Sequence, residues 1–264
     1  MSEPITQFQA GELAVEVYSG TAEMGQAAAE RAAAVIRDAV ARTGRARAVF
    51  ATGNSQFAFV QALRSQDVPW DRVTAFHLDE YVGIDANHPA SFRRWIRERI
   101  EEPFRPAKVH YIEGDAPDAE AECRRYEDLL RAEPLDVVCM GIGENGHIAF
   151  NEPHEADFAD QRLARVITLT PESRAQQVGE GHFPDDAAVP ATAISLTVPA
   201  LLSAGQVLVC TPDRRKAAAV AAAVNDEISP ACPATVLRTA GHATLFLDPE
   251  SAGQLDVTAG SAAS

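Results

Sequence analysis

Residues 140–153 combine side chains that could form an active site. They include three glycines together with a histidine, an amide and a carboxylate, namely His147, Asn145 and Glu152. A histidine can exchange a proton near pH 7, so this combination is typical of a catalytic loop. The alternative is a glycine-rich turn with a hydrogen-bonded histidine, but a turn needs only one or two glycines and no polar cluster.

A pair of acids, Asp79 and Glu80, is the second candidate for chemistry. The acids follow residues 73–78, and the first loop follows residues 135–140; both runs are short and apolar, which predicts two buried strands. Ligands of open α/β sheets bind at the C-terminal ends of the strands, so at least one acid is a candidate catalytic carboxylate. The alternative is that both acids cap the next segment or lie in solvent.

A third polar loop could bind phosphate. Gly53, Asn54 and Ser55 lie between a predicted strand at 48–51 and a predicted helix at about 56–63. Backbone N–H groups at the start of a helix favour an anion, and glycine allows its close approach. The alternative is that these residues only turn the chain and cap the helix.

The charge of the chain restricts its partners. The formal net charge is −15, which disfavours nucleic acid and acidic membranes, so an anionic small molecule would need a local basic pocket. Lysine occurs only at Lys108 and Lys216, which makes a lysine in a loop that could face a pocket more informative than usual.

The remaining composition predicts a cytoplasmic protein. No apolar run approaches the roughly 18 residues of a membrane span, and the first residues lack the features of a signal peptide. The four cysteines are scattered without a C-x-x-C pair, which favours reduced thiols over disulfides or a zinc site.

Strand and helix patterns alternate along the chain. This alternation predicts one domain over residues 1–264, with a doubly wound, mostly parallel sheet flanked by helices, as in Rossmann-like α/β folds. The strands are predicted at 13–18, 48–51, 73–78, 108–112, 135–140, 193–196, 206–210 and 243–247. Residues 154–191 are less regular and are predicted to form a lid. The end beyond Asp256 is rich in glycine, alanine and serine and is expected to fray.

The motifs at 76–81 (FHLDEY) and 141–153 (GIGENGHIAFNEP) resemble the two signatures of the glucosamine-6-phosphate deaminase (isomerase) family. The resemblance extends over nearly the whole chain, since the loop at Gly53, Arg174 and Lys216 follow in the order that the family uses. It implies conversion of D-glucosamine 6-phosphate and water to D-fructose 6-phosphate and ammonia, without a metal or an organic cofactor.

The resemblance also implies residue roles. His147 would move protons during ring opening, Glu152 would orient His147, and Asp79 would carry a proton from C2 to C1 through an enolamine. The substrate would be bound by Gly53, Asn54 and Ser55, with Glu80, Arg174 and Lys216. Asn145 stands where some members carry Asp and can only hold or polarise, because an amide does not titrate. Asn54 and Gln56 stand where a second glycine and a proline are frequent.

The sequence has two alternative interpretations, a lactone hydrolase and a sugar-phosphate sensor. Related 6-phosphogluconolactonases hydrolyse a lactone and have a similar loop, but residues 150–153 favour the deaminases. A non-enzymatic sugar-phosphate sensor would need a DNA-binding module, for which the acidic chain offers neither room nor a basic face. The family includes monomers and hexamers, some activated by N-acetylglucosamine 6-phosphate, so self-association, such regulation and the sugar epimer are left open.

Overall fold

The computed structural model describes residues 3–255, and most of their strands form one sheet. This sheet has eight strands in the order β1-β2-β11-β10-β7-β3-β4-β6, and only the pair β1 and β2 is antiparallel. The strands of the chain are β1 (Thr6–Ala10), β2 (Leu13–Val17), β3 (Ala46–Phe50), β4 (Val73–His77), β5 (Asp79–Tyr81), β6 (Lys108–Val109), β7 (Val137–Met140), β8 (Ala164–Thr168), β9 (Thr192–Leu196), β10 (Gln206–Thr211) and β11 (Ala243–Leu247).

Helices cover both faces of the large sheet. They are α1 (Thr21–Thr43), α2 (Phe57–Leu63), α3 (Phe92–Ile96), α4 (Glu102–Phe104), α5 (Ala119–Arg131), α6 (Pro171–Gly179), α7 (Val198–Leu202) and α8 (Ala217–Asn225). A π-helical segment, Arg97–Glu101, joins α3 to α4. Short 3₁₀ helices occur at Asn54–Gln56, Trp70–Arg72, Asp186–Ala188, Arg214–Lys216 and Pro233–Thr239. No helix within residues 3–255 is long and apolar enough to span a membrane.

The alternation of side chains in β7 shows how the two faces of the large sheet are packed against helices. Val138 and Met140 point into the core that contains α5, α7 and α8, whereas Val137 and Cys139 point into the core that contains α1 and α2. A strand buried on both faces reads as a continuous apolar run, which is why its sequence predicts a central strand. The predicted doubly wound α/β fold is confirmed.

A second, smaller sheet departs from the prediction. It is antiparallel, with the order β5-β9-β8. The sequence predicts residues 193–196 as part of the main alternation, but they belong to β9 and pair with β5, which is separated from β4 by one residue. The sequence patterns at residues 79–81 and 165–169 are each too short to indicate which strands these residues pair with.

Two further differences concern the edges of the large sheet. Strand β1 is missing from the prediction because its side chains alternate between exposed and half-buried positions, and the edge offers little apolar pattern. The strand predicted at 108–112 is only two residues long. The fraying predicted beyond Asp256 concerns residues outside the described range.

Residues 154–191 contain β8, α6 and a 3₁₀ turn. Helix α6 begins at Pro171, and the Thr170 hydroxyl caps it by accepting a hydrogen bond from the Ser173 N–H. Strand β8 is an integral part of the small sheet, so only the part with α6 and the following loop has the character of a cover. That this part moves as a lid stays a prediction.

Candidate active site

A cavity of about 80 Å³ lies at the C-terminal ends of four parallel strands. Residues that follow β3, β4, β7 and β10 line it, and α6 with its following loop forms one wall. The predicted site residues that line the cavity are Gly53, Ser55, Asp79, His147 and Lys216. The doubly wound sheet therefore brings together residues from four separate parts of the chain, as expected at such an edge.

His147 is held by Asn145. The Asn145 Oδ1 lies 2.7 Å from the His147 Nδ1 and also accepts a hydrogen bond from the His147 backbone N–H at 3.1 Å. The Asn145 Nδ2 donates to the Glu152 Oε2 at 2.8 Å, which identifies the amide nitrogen and leaves the oxygen for His147. Because an amide oxygen only accepts, His147 Nδ1 must carry the proton. Its Nε2 is then the free proton acceptor.

Glu152 acts on His147 through Asn145. Its side chain is fully buried, and its Oε2 accepts hydrogen bonds from Asn145 and from the Thr170 hydroxyl at 3.2 Å. The same oxygen is 3.8 Å from the His147 Nδ1, too far for a hydrogen bond. The resemblance implies that Glu152 orients His147, but the structure places Asn145 between them.

The surroundings of His147 favour its neutral form. Burial lowers the pKa of His147; the negative charge of Glu152 opposes this effect, and the positive charge of Lys216 adds to it. Gly143 packs directly against the imidazole, since a Cβ at this position would come within 2.2 Å of the ring. A neutral imidazole with a free Nε2 can accept a proton near pH 7.

Asp79 lines the same cavity from the first residue of β5. It is 7% exposed, and burial, together with the charge of Glu80, raises the pKa of its carboxyl well above the ordinary value. A carboxyl in such surroundings can both take up and return a proton at a moderate pH.

Glu80 does not line the cavity, contrary to its predicted contact with the substrate. It is fully buried, and its carboxylate accepts hydrogen bonds from the Ser91 hydroxyl and from the backbone N–H groups of Phe92 and Arg93, at 2.7 to 3.1 Å. These donors belong to the start of α3, so Glu80 anchors that helix. Side chains alternate along a strand, and only one of two adjacent acids can face the cavity.

The loop after β3 contributes a hydroxyl and backbone. Gly53 and Ser55 line the cavity, whereas the Asn54 side chain is exposed and donates to the Glu180 carbonyl at 3.4 Å. The Gln56 Nε2 donates to the Ser55 Oγ at 3.0 Å. Because Ser55 accepts this bond, its own proton is available for a ligand. Gly53 has a φ of 92°, a conformation that favours glycine.

Arg174 lies outside the cavity, contrary to its predicted role. Its guanidinium contacts the Asp186 carboxylate at 3.1 Å and the Asp186 carbonyl. Gln176, which does line the cavity, is two residues further along α6 and therefore about 200° around the helix. Arg174 thus connects α6 to the next turn and leaves the cavity to other residues.

The chain matches the family described as glucosamine-6-phosphate isomerases/6-phosphogluconolactonase over residues 19–246. It belongs to this family. A glucosamine-6-phosphate deaminase of Exiguobacterium sp. is 34% identical over 206 residues, which cover 77% of this chain and 78% of the relative. A glucosamine-6-phosphate deaminase of Bacillus cytotoxicus is 34% identical over 224 residues, which cover 84% and 83%.

Solved structures of the family have the same fold. A monomeric glucosamine-6-phosphate deaminase superposes with a TM-score of 0.82 at 29% identity, covering 90% of this chain and 98% of its own. A 6-phosphogluconolactonase from Shewanella baltica superposes with a TM-score of 0.76 at 22% identity, covering 91% of this chain and 100% of its own. The second likeness concerns the fold alone.

Several cavity residues of this family member are absent from the sequence prediction. Gln176, Gln177, Glu180 and His182 form the wall contributed by α6 and its following loop. The signal that could have identified Glu180 and His182 is the sequence Gly-Glu-Gly-His at 179–182, in which two titratable residues alternate with glycines. In the described part of the chain, no group of three or more His, Cys, Asp or Glu side chains could hold a metal ion.

Proposed function

We propose that this chain converts D-glucosamine 6-phosphate and water to D-fructose 6-phosphate and ammonia. The observation that carries the proposal is the presence of Asp79 and the free Nε2 of His147 in one cavity, in a chain whose relatives are named glucosamine-6-phosphate deaminases. The reaction needs one group that exchanges protons with oxygen and a second that exchanges protons with carbon. Imidazole suits the first task and carboxylate the second.

Ring opening is the task of His147. Its Nε2 takes the proton of the anomeric hydroxyl and returns a proton to the ring oxygen as the C1–O5 bond breaks. The imidazole carries a positive charge between these two events. Asn145 holds the ring through Nδ1, and the buried Glu152 behind it supplies the negative charge that stabilises the imidazolium.

Proton transfer between carbons is the task of Asp79. In its ionised form it takes the C2 proton of the open-chain aldehyde while the aldehyde oxygen O1 takes a proton from the substrate ammonium, which gives an enolamine; it then returns a proton to C1 and leaves a protonated imine at C2. The resulting C2 imine adds water and releases ammonia, leaving the C2 ketone of fructose 6-phosphate. The raised pKa of Asp79 helps the proton abstraction, because a weaker acid has a conjugate base that is stronger toward the C2 proton.

The phosphate group of the substrate is bound at the part of the cavity that contains Gly53, Ser55 and Lys216. The Ser55 hydroxyl, the backbone around Gly53 and the Lys216 ammonium are its partners in this proposal, and neither Arg174 nor Glu80 has a place there. A lysine contributes a point charge, and the hydroxyl and backbone N–H groups add directed hydrogen bonds.

The direct test is an assay of ammonia and fructose 6-phosphate release from glucosamine 6-phosphate by the purified protein. We expect turnover by the wild type and a loss of at least about a thousandfold in kcat for His147→Gln, because His147 is the imidazole that Asn145 holds with Nε2 free. The matched control is His154→Gln, a change outside the cavity. Absence of turnover by the wild type across pH 6–9, or hydrolysis of 6-phosphogluconolactone without ammonia release, would reject the proposal.

A further inference from the structure

The lysine of the cavity already has an anionic partner. The Lys216 Nζ lies 3.6 Å from the Glu180 Oε1, and both side chains are buried, with exposed fractions of 5% and 8%. The same carboxylate accepts a hydrogen bond from the Gln176 Nε2 at 2.9 Å and lies 3.4 Å from the His182 Nε2. The Glu180 carboxylate therefore occupies the kind of position that a phosphate group would need.

The charge of the cavity does not suit a phosphate as it stands. Within residues 3–255, Lys216 is the only lysine or arginine that lines the cavity, whereas Asp79 and Glu180 both bring carboxyl groups. A second carboxylate, that of Glu144, lies 3.9 Å from the Lys216 Nζ. A dianion placed beside Lys216 would meet Glu180 at close range, and this repulsion is strong where water is excluded.

The volume of the cavity also does not suit a sugar phosphate as it stands. At about 80 Å³ it is well below the roughly 300 Å³ at which small-molecule pockets usually begin. A sugar phosphate needs more room than this. Since Glu180 projects from the wall at the end of α6, its removal from the cavity would release both volume and the charge of Lys216.

The backbone around Glu180 can provide this movement. Gly179 and Gly181 flank it, and apart from their chain neighbours and the backbone of α6 nothing in the described chain lies within 4 Å of a Cβ built at either position. Packing therefore does not require glycine at these two sites. Gly181 has a φ of 81°, which glycine adopts without strain. Glycine can adopt a wide range of backbone angles, so Glu180 can turn away from Lys216 once the last hydrogen bonds of α6 are released, from the Glu180 N–H to the Gln176 carbonyl at 2.8 Å and from the Gly181 N–H to the Val178 carbonyl at 3.0 Å.

We propose that Glu180 is an internal competitor of the substrate phosphate: it binds Lys216 in the unliganded protein, and an incoming phosphate displaces it through rotation at Gly179 and Gly181. This proposal rests on the proposed function, because that function places the phosphate at Lys216. Glu180 then sets a threshold for binding, since a ligand without an anionic group has nothing with which to replace the ion pair.

The test compares Glu180→Gln with a matched control, Glu172→Gln. Glu172 is exposed in the first turn of α6, and Glu180 directly follows the last residue of that helix, so each variant loses one negative charge at an end of α6 and only Glu180→Gln loses it from the cavity. Inorganic phosphate is the probe, measured by calorimetry. We expect Glu180→Gln to bind phosphate about tenfold more tightly than the wild type, because neutralising a carboxylate beside the bound anion removes a close repulsion. Glu172→Gln should match the wild type within about twofold.

Steady-state kinetics with glucosamine 6-phosphate supply the second measurement. We expect the KM of Glu180→Gln to fall about tenfold while kcat changes by less than about threefold, and Glu180→Ala to change in the same direction. Unchanged phosphate affinity in both Glu180 variants, or a large loss of kcat without a gain in phosphate affinity, would overturn the proposal. Calorimetry does not depend on turnover, so failure of the proposed function would appear separately, as absence of ammonia release by the wild type.

Discussion

At the scale of single residues, the order of groups behind His147 matters most. The buried Glu152 carboxylate polarises the Asn145 amide, and this amide holds the His147 imidazole. The charge of Glu152 therefore acts on His147 through Asn145 and not by direct contact. The arrangement fixes the proton on Nδ1 without placing a full negative charge in contact with the ring. The pKa of His147 is therefore lowered by burial with only partial opposition from Glu152.

Asn145→Asp tests this arrangement. A carboxylate in contact with the His147 Nδ1 would favour the imidazolium and raise the pKa of His147. His147 must be neutral to take the first proton, so activity should be lost at a higher pH on acidification. We expect the pKa of His147, followed by NMR titration of its imidazole, to rise by about one unit relative to the wild type. The exposed Asn87→Asp provides the control, and an unmoved pKa of His147 in Asn145→Asp would contradict the role assigned to Asn145.

Asp79→Asn tests whether the buried Asp79 carboxylate lowers the stability of the folded protein. Because the pKa of Asp79 is raised in the folded protein, the folded state binds its proton more tightly than the unfolded state, and stability falls as the pH rises through this range. The amide does not titrate, so the variant should be more stable than the wild type at pH 8, by about 3 °C in Tm, and the difference should shrink toward pH 5. Thermal melts at both pH values measure it.

The control for this change is Asp67→Asn, an exposed replacement of the same type. It should leave Tm within about 1 °C of the wild type at either pH. A variant at Asp79 that melts below the wild type at pH 8 would show that the folded state stabilises the carboxylate, the opposite of the effect expected from burial.

At the scale of elements, the small antiparallel sheet connects the two catalytic parts of the chain. Asp79 pairs with Ser195 across β5 and β9, and the Ser195 hydroxyl accepts a hydrogen bond from the Phe150 N–H at 3.0 Å. One strand therefore holds both the carboxyl and the loop that carries His147. The sequence predicts both loops and their common edge of the sheet, but a three-residue strand such as β5 carries too little pattern to indicate its partner.

Ser195→Ala should uncouple the two parts. The Phe150 N–H would lose its buried partner, at a cost of about 1–3 kcal/mol. We expect a lower Tm and a fall in kcat larger than any change in KM, since the loop with His147 loses its anchor. Ser203→Ala, which removes a hydroxyl at the end of α7, should lower kcat by less than about twofold. Equal effects of the two changes on kcat would refute the coupling.

The wall formed by α6 shows where prediction from sequence ends. The motif order suggests Arg174 as the phosphate ligand, but the helical phase of α6 turns it toward Asp186 and turns Gln176 toward the cavity. Which face a short helix buries depends on the elements around it, and the sequence of α6 has no strong apolar stripe to indicate this face.

At the scale of the whole molecule, the fold is the part that sequence predicts best. The long apolar strands and the helices between them specify a doubly wound sheet, and that topology alone brings Gly53, Asp79, His147 and Lys216 to one edge. The four cysteines are free, and burial raises the pKa of Cys210 to about 12, so this thiol stays protonated. The chain has a formal net charge of −15, and Lys216 is the single lysine among the described residues that line the cavity. The ion pair between Lys216 and Glu180 therefore determines whether the cavity offers a free positive charge to an anion.

Asp79 and His147 are proposed to serve one reaction, in which a proton moves between C2 and C1 of an open-chain amino sugar phosphate. The most direct measurement is the conversion, in H₂O, of glucosamine 6-phosphate that carries deuterium at C2, followed by proton and carbon NMR of the product. We predict deuterium at C1 of the fructose 6-phosphate formed by the wild type, and neither product nor exchange with Asp79→Asn, which should remain folded. Turnover by Asp79→Asn above about a tenth of the wild-type rate would contradict the assignment of Asp79 as the group that moves this proton.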